Sequence, residues 1–229
     1  MSNPIKRFTL YIKAGSDGTC VGDCPFSQRA WLFMLIKRLK DQTTVATINI
    51  LNKSDEFLKM NPKGKTPVLF DHKENKAVDD SEEICTYIDG LFPEPPVGCN
   101  FKETAADAAT SKIFPSLCKM IMNKNTSETP ILKQTLTNEL VKVNAYLETS
   151  KYPFLTGDTL QAIDCAVLPK LLHVKVAGKA YKNYTIPNEL ESLAKYLENA
   201  EADPVFAETR PLDEEIICGW GRHDILKEL

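Results

Sequence analysis

The chain has 229 residues, of which 43% are hydrophobic and 26% are charged, and its formal net charge is −3. This length suits one or two domains, and the composition is typical of a soluble globular protein. The small negative charge does not favour nucleic acid as a partner.

The first ninety residues alternate between patterns typical of strands and of helices. Apolar residues alternate with polar ones in "RFTLYIKA", whereas from Pro25 to Leu39 they recur at helical spacing. The predicted order is β-α-β-α-β-β-α, with elements at 7–14, 25–39, 43–50, 54–60, 66–70, 76–80 and 81–92.

A stretch with three prolines and a glycine follows, "FPEPPVGCN" at 92–100, and we interpret it as a linker. Beyond it, helical patterns dominate at 101–123, 129–149, 161–178 and 188–200, with a short last helix expected at 221–229. The sequence therefore predicts an α/β domain at 1–91 and an all-α domain at 101–229.

Seven cysteines lie singly at positions 20, 24, 85, 99, 118, 165 and 218. An odd, scattered set without a CxxC pair indicates reduced thiols, so we expect a cytoplasmic location. The three histidines are far apart in the sequence, and no metal site is expected. The first ten residues lack the apolar stretch of a signal peptide.

No run of 18 uncharged apolar residues exists that would indicate a membrane-spanning helix. The most apolar candidate segment, 25–51, carries five charges at Arg29, Lys37, Arg38, Lys40 and Asp41. Each charge costs about 2.5 to 3.5 kcal/mol at the centre of a membrane helix. The resting protein is therefore expected to be soluble.

Cys24 stands where a strand and its loop give way to a helix. Pro25 suits the first helical position, which places Cys24 at the N-cap, where free N–H groups and the helix dipole favour a thiolate. Arg29, one turn further on, could add positive potential. The alternative is that Cys24 is only a small buried hydrophobe.

Ser27 occupies the position where dithiol redox motifs carry a second cysteine. A lone thiolate at Cys24 would form a mixed disulfide with a small thiol such as glutathione. Cys20 is a weaker candidate for a resolving thiol, because its C-x-x-x-C spacing from Cys24 indicates little.

Two further short motifs could complete a thiol site. Thr66-Pro67 precedes a predicted strand, where an X-Pro bond can be cis and present its backbone to a thiol peptide, although a proline that merely starts a strand is the alternative. Asp80 and Ser81 begin a predicted helix and could hold the two ends of an amino acid, although a plain helix cap is the alternative.

With these residues the chain resembles the glutathione transferase superfamily, and within it the chloride intracellular channel family. The resemblance covers most of the chain. It is carried by "KAGSDG" at 13–18, "GDCPFSQR" at 22–29, "DCAVLPKLLHVKV" at 164–176 and "YKNYTIP" at 181–187. Omega-class transferases carry a sequence similar to "CPFSQR", so the later motifs are more specific for the chloride intracellular channel family.

The resemblance implies a thioredoxin-like first domain, a helical second domain and a glutathione site formed by Cys24, Pro25, Phe26, Thr66, Pro67, Asp80 and Ser81. It also implies conditional association with membrane lipids, chloride conductance and a homo-oligomer in the membrane. The sequence departs from the superfamily at the start of the central helix, where the usual Ser/Thr-x-x-Asp box is replaced by Gln161 and Asp164.

The sequence leaves three functions open. The first is a chloride intracellular channel-like protein, soluble at rest and able to conduct anions in membranes. The second is a glutathione-dependent thiol oxidoreductase, of the omega-transferase or dehydroascorbate reductase type, that uses Cys24. A non-catalytic binding module is a third alternative.

Overall fold

A computed structural model describes residues 6–228. The outer ends of the two predicted domains, residues 1–5 and 229, lie outside the described residues. The first domain contains β1 (Phe8–Lys13), α1 (Pro25–Ile36), β2 (Thr43–Ile48), α2 (Asp55–Met60), β3 (Val68–Asp71), β4 (Lys76–Val78) and α3 (Ser81–Leu91). This is the predicted order of strands and helices.

The four strands form one mixed sheet in the order β2-β1-β3-β4. β1 pairs with β2 in parallel, whereas the β1–β3 and β3–β4 pairs are antiparallel. The predicted alternation in β1 is confirmed, since Phe8, Leu10 and Ile12 are fully buried. The sheet thus brings the start of α1, the start of β3 and the start of α3 to one edge.

The second half of the chain is helical. Its helices are α4 (Ala105–Thr110), α5 (Ile113–Met122), α6 (Thr129–Thr149), α7 (Ala162–Lys182), α8 (Glu191–Ala202), α9 (Pro204–Thr209) and α10 (Asp213–Gly221). An α/β domain followed by an all-α domain is therefore confirmed as the fold class. The boundaries at 91 and 101 stay a prediction.

Three helix predictions need correction. The single helix expected at 101–123 is two helices, because the chain turns at 111 and 112 between α4 and α5. The last helix is α10, whereas 224–228 are not helical, so the helix predicted at 221–229 is wrong for the described residues. α9 was not predicted; its cap, Asp203, accepts hydrogen bonds from two backbone N–H groups.

α7 is the central helix of the second domain, and most of its residues are buried. Its N-terminus carries the capping box that the sequence predicted only in part: the Asp164 carboxylate accepts the N–H of Gln161 at 2.8 Å. α7 also packs against α1, so the helix that begins at Cys24 lies at the interface of the two domains.

The apolar segment at 25–51 is part of the folded first domain. Its residue Lys37 is buried, and the Lys37 Nζ bonds Asp89 Oδ1 at 2.8 Å and the carbonyls of Pro93 and Pro95. Among residues 6–228, no helix combines the length and the apolar character needed to cross a membrane.

Candidate active site

Cys24 is the N-cap residue of α1, as predicted. Its backbone is extended, Pro25 occupies the first turn, and the backbone N–H of Ser27 donates to the Cys24 sulfur at 3.5 Å. The positive end of the helix dipole therefore faces the sulfur and favours negative charge there. The thiol is half-buried rather than sealed in the core, so a small molecule can reach it.

Ser27 has a structural partner that explains its place in the motif. Its side chain is buried, and its hydroxyl oxygen accepts the backbone N–H of Lys13 at 3.2 Å. This bond fastens the first turn of α1 to the end of β1. Ser27 therefore steadies the helix start on which Cys24 sits.

Thr66-Pro67 lies directly beside the thiol. The peptide bond is cis, in agreement with the sequence interpretation, and the Thr66 carbonyl oxygen is 4.0 Å from the Cys24 sulfur. The chain bends at Thr66, and these two residues precede β3, so they lie outside its strand pairing, which ends at Val68. Backbone groups that are free of strand pairing can bond the backbone of a peptide-like ligand.

Asp80 and Ser81 lie at the start of α3. Val78, the last residue of β4, pairs with Leu69 of β3, and Asp80 follows the end of β4 by two residues. The Asp80 carboxylate accepts the N–H groups of Glu82 and Glu83 at 2.7 and 3.1 Å, as a helix cap does. Ser81 is buried, so of these two residues only Asp80 presents a side chain to solvent.

A cavity of about 390 Å³ opens on the other side of Cys24, towards the second domain. Its walls are mainly apolar, and Phe26 on α1 meets Phe114 on α5 edge to face, with ring centroids 5.9 Å apart. Phe26 was predicted to face glutathione. In the structure its side chain is 42% exposed and lines this cavity of about 390 Å³.

An ion pair forms one polar wall of the cavity. Lys13 Nζ and Asp23 Oδ1 are 2.7 Å apart, and both side chains are largely buried. α10 closes over this pair at Gly219, where a Cβ atom would lie only 2.0 Å from an Asp23 carboxylate oxygen. Glycine is therefore needed for the close approach of α10 to the residue beside Cys24.

His173 and Trp220 form a second polar element of the same wall. The Trp220 Nε1–H donates to His173 Nδ1 at 2.9 Å, and both residues are buried. In the neutral ring the proton then sits on Nε2, which is buried and has no partner among the residues that the structure describes. The interior lowers the pKa of His173 to about 4, with the Asp23 carboxylate opposing that shift.

Sequence reasoning missed the roles of Lys13, Asp23, His173 and Trp220. They come from β1, the following loop, α7 and α10, and no local spacing connects them. Lys13, Asp23 and His173 each lie within a family-like motif, but none of these motifs indicates contact with another of the four residues.

Cys20 is poorly suited to act as a resolving thiol. Burial raises its pKa, and the nearby carboxylates of Asp17 and Glu215 raise it further. A thiol that stays protonated is a weak nucleophile. Cys118 also lines the cavity beside Cys24, but burial raises the pKa of its thiol as well. The structure therefore favours a site with one reactive sulfur, which is the monothiol arrangement that the sequence predicted.

The fold and the site together define a class of protein. A thioredoxin-like domain with a cysteine at the N-cap of its first helix and a cis-proline beside it, followed by a helical domain, is the architecture of glutathione transferases. Residues 23–91 match the family model of the glutathione S-transferase N-terminal domain.

Sequence relatives extend this similarity over most of the chain. The chain is 33% identical over 201 residues to glutathione S-transferase DHAR3, chloroplastic, of Arabidopsis thaliana. The aligned region covers 87% of this chain and 74% of that protein. It is 32% identical over 202 residues to glutathione S-transferase DHAR2 of the same plant, and this alignment covers 87% of this chain and 90% of that protein. The chain belongs to the glutathione S-transferase family.

Solved structures agree with this assignment. Dehydroascorbate reductase of Chlamydomonas reinhardtii superposes with a TM-score of 0.84 at 27% identity, covering 96% of this chain and 100% of that one. The chloride intracellular channel homologue EXC-4 of C. elegans superposes with a TM-score of 0.81 at 20% identity. This superposition covers 100% of this chain and 87% of that one. The second likeness shows the shared fold alone, so membership of the channel family stays a prediction.

Proposed function

We propose that the chain is a glutathione-dependent thiol oxidoreductase that reduces dehydroascorbate or a similarly small oxidised compound. The observation that carries the proposal is the half-buried thiol of Cys24, at the N-cap of α1, between the Thr66-Pro67 segment and a separate cavity of about 390 Å³. The proteins named as dehydroascorbate reductases in the comparisons support the choice of substrate.

Each side of Cys24 suits one reactant. The backbone at Thr66-Pro67 suits the peptide of glutathione, and the Asp80 carboxylate at the start of α3 suits its amino end. The cavity lined by Lys13, Asp23 and His173 suits a compact, oxygen-rich acceptor, since it offers charged groups and a buried N–H donor. The two reactants thus approach one sulfur from opposite directions.

The redox balance follows from a single sulfur. Reduction of dehydroascorbate to ascorbate takes two electrons and two protons, which two glutathione molecules supply as they become one disulfide. The Cys24 thiolate adds to a carbonyl carbon of dehydroascorbate, and the first glutathione then attacks the Cys24 sulfur, breaks the new S–C bond and releases ascorbate, which leaves a mixed disulfide. The second glutathione attacks the glutathione sulfur of that disulfide, which forms glutathione disulfide and frees the Cys24 thiolate. The protein needs no second cysteine for this sequence of steps.

The test replaces the sulfur. Cys24→Ser keeps the size and the helix cap but removes the thiolate, so glutathione-dependent formation of ascorbate should fall by more than a hundredfold. Cys218→Ser, which changes an exposed thiol on α10, should retain full activity. A glutathione-sized mass adduct should map to Cys24 in the wild type after incubation with oxidised glutathione. Full activity of Cys24→Ser would disprove the mechanism.

Channel activity is a second candidate, favoured only by the family resemblance and the shared fold with EXC-4. It predicts membrane association that increases with acid or oxidant, and chloride efflux from liposomes. Cys24→Ser separates the two candidates, because a serine adds little polarity and would leave insertion nearly unchanged. If a protein preparation with active reductase gave no chloride efflux from liposomes between pH 7 and pH 5, channel activity would be excluded.

A further inference from the structure

A second charged cavity lies between the two domains, away from Cys24. Its volume is about 260 Å³, and it shares no residue with the walls of the cavity beside the thiol. α1, α3, α4 and α7 all contribute to it. The charged residues that face it are Arg29, Lys102, Lys170, Glu82, Glu103 and Asp107.

Arg29 lies in the inner wall without a close partner. Its side chain is 12% exposed, and its Nε is buried and has no hydrogen-bond partner among residues 6–228. The nearest carboxylate, Glu82, is 4.0 Å from Arg29 Nη1 and forms a closer ion pair with Lys102. The guanidinium is therefore desolvated with little compensation from the protein.

Lys170 faces the same cavity from α7. It is half-buried, and within the described range its ammonium makes neither a hydrogen bond nor an ion pair with another side chain. Burial lowers the pKa of Lys170 and the positive charge of Arg29 lowers it further, while Asp107 and Glu82 oppose the shift. Two under-compensated cations thus face each other across the domain interface.

The carboxylates at this cavity offset these two cations only in part. Glu82 is engaged by Lys102, and Asp107 accepts the backbone N–H of Glu103 at 3.2 Å. Glu103 is exposed and lies where water screens its charge. The buried side of the cavity is consequently the positive side.

We propose that this cavity binds a small oxyanion, such as phosphate, between Arg29 and Lys170. A guanidinium presents paired N–H donors that match two oxygens of such an anion, and the lysine adds a point charge from the other side. The volume exceeds that of one water, about 30 Å³, several times over. The bound anion would join α1 of the first domain to α7 of the second.

The experiment compares anion-dependent stability in matched variants of the full chain. Wild-type melting temperature should rise in a saturable way with inorganic phosphate and not with chloride at equal ionic strength, because a ligand specific for the folded state stabilises it. Lys170→Met should abolish the rise. Lys179→Met removes an equal charge from an exposed position of the same helix and should keep it.

Calorimetry with inorganic phosphate and with glycerol phosphate then separates the free from the esterified anion. Lys170→Met and Arg29→Gln should each weaken phosphate binding at least tenfold. Without phosphate, Lys170→Met should melt no lower than the wild type, since it removes an uncompensated charge. An unchanged phosphate response in Lys170→Met, or an equal loss in Lys179→Met, would overturn the proposal.

Discussion

At the scale of single residues, Cys24 and Ser27 have different roles: Cys24 carries the reactive sulfur, and Ser27 holds the start of α1 in place. Cys24 receives the N–H of Ser27, while the Ser27 hydroxyl accepts the N–H of Lys13 from β1. The two bonds use different atoms of Ser27. The hydroxyl can therefore be changed without removing the N–H that faces the sulfur.

Ser27→Ala tests this separation. It leaves the partly buried N–H of Lys13 without this acceptor, so the free energy of unfolding should fall by about 1 to 3 kcal/mol. Reductase turnover per folded molecule should stay within about threefold of the wild type, because Ser27 takes no part in the chemistry. Urea denaturation and steady-state kinetics on the same preparation measure both. A loss of turnover like that of Cys24→Ser would assign Ser27 a chemical role.

The sequence predicted those site residues whose signals are local. The N-cap position of Cys24 follows from Pro25, and the bend at Thr66-Pro67 follows from proline chemistry. His173 and Trp220 could not be paired, because they are 47 residues apart and meet only when α7 and α10 pack together. The burial of Ser81 also depends on packing that no local pattern records.

At the scale of elements, α7 depends on how its first turn is fixed. The buried Asp164 carboxylate accepts hydrogen bonds from the N–H groups of Leu155 and Gln161 and from the hydroxyl of Tyr196, at 2.8 to 3.1 Å. One side chain therefore joins the loop before α7, the helix start and α8. The box works with glutamine at the cap position because the aspartate makes these contacts.

Asp164→Ala should destabilise the protein by about 3 kcal/mol or more, because it leaves three donors unpaired, two of them in fully buried contacts. Asp164→Asn keeps the size and one acceptor oxygen, so its loss should be smaller. Chemical denaturation of both variants gives the comparison. A change below 1 kcal/mol in Asp164→Ala would show that the N-terminal turn of α7 does not limit stability.

The break between α4 and α5 shows where element prediction fails. Apolar residues recur at helical spacing through 101–123, so the pattern alone indicates one helix. The turn is fixed instead by tertiary contacts, since α4 packs on α6 and α5 packs on both α6 and α7. Periodicity reports which face is apolar and does not report a change of direction.

At the scale of the whole molecule, the C-terminal helix closes the active-site loop. The Glu215 carboxylate of α10 accepts the backbone N–H of Ser16 at 2.6 Å and its hydroxyl at 2.7 Å, across 199 residues of sequence. Ser16 belongs to the loop that leads from β1 to Cys24. The last helix thus holds the loop that positions the thiol.

Glu215→Ala should release this loop. We expect faster amide hydrogen exchange in residues 15–20 and in α10. We also expect a higher KM for the oxidised substrate with a smaller change in kcat, because the cavity beside Cys24 loses its fixed wall. Glu215→Gln keeps one acceptor and should show an intermediate effect. Exchange that changes only in α10 would mean that Ser16 is held by other contacts.

His173 gives the assembled domains a specific dependence on pH. Its pKa in the folded protein is about 4, below the ordinary value of 6.5 for histidine, because burial opposes the charge. Its contribution to stability is therefore fully present above pH 6.5 and is lost as the pH falls through 4, by roughly 3 kcal/mol in total. Burial raises the pKa of Asp164 to about 6, so that residue acts in the opposite sense over the same range.

Comparison with His173→Gln isolates the histidine, because the contribution of Asp164 is common to both proteins. Glutamine can still accept the Trp220 N–H, and it does not titrate. The difference in unfolding free energy between wild type and variant should shrink by roughly 3 kcal/mol between pH 7 and pH 4. His72→Gln, at an exposed position, is the control and should give a much smaller change. A difference for His173→Gln that stays constant across this range would show that the buried ring keeps an ordinary pKa in the folded protein.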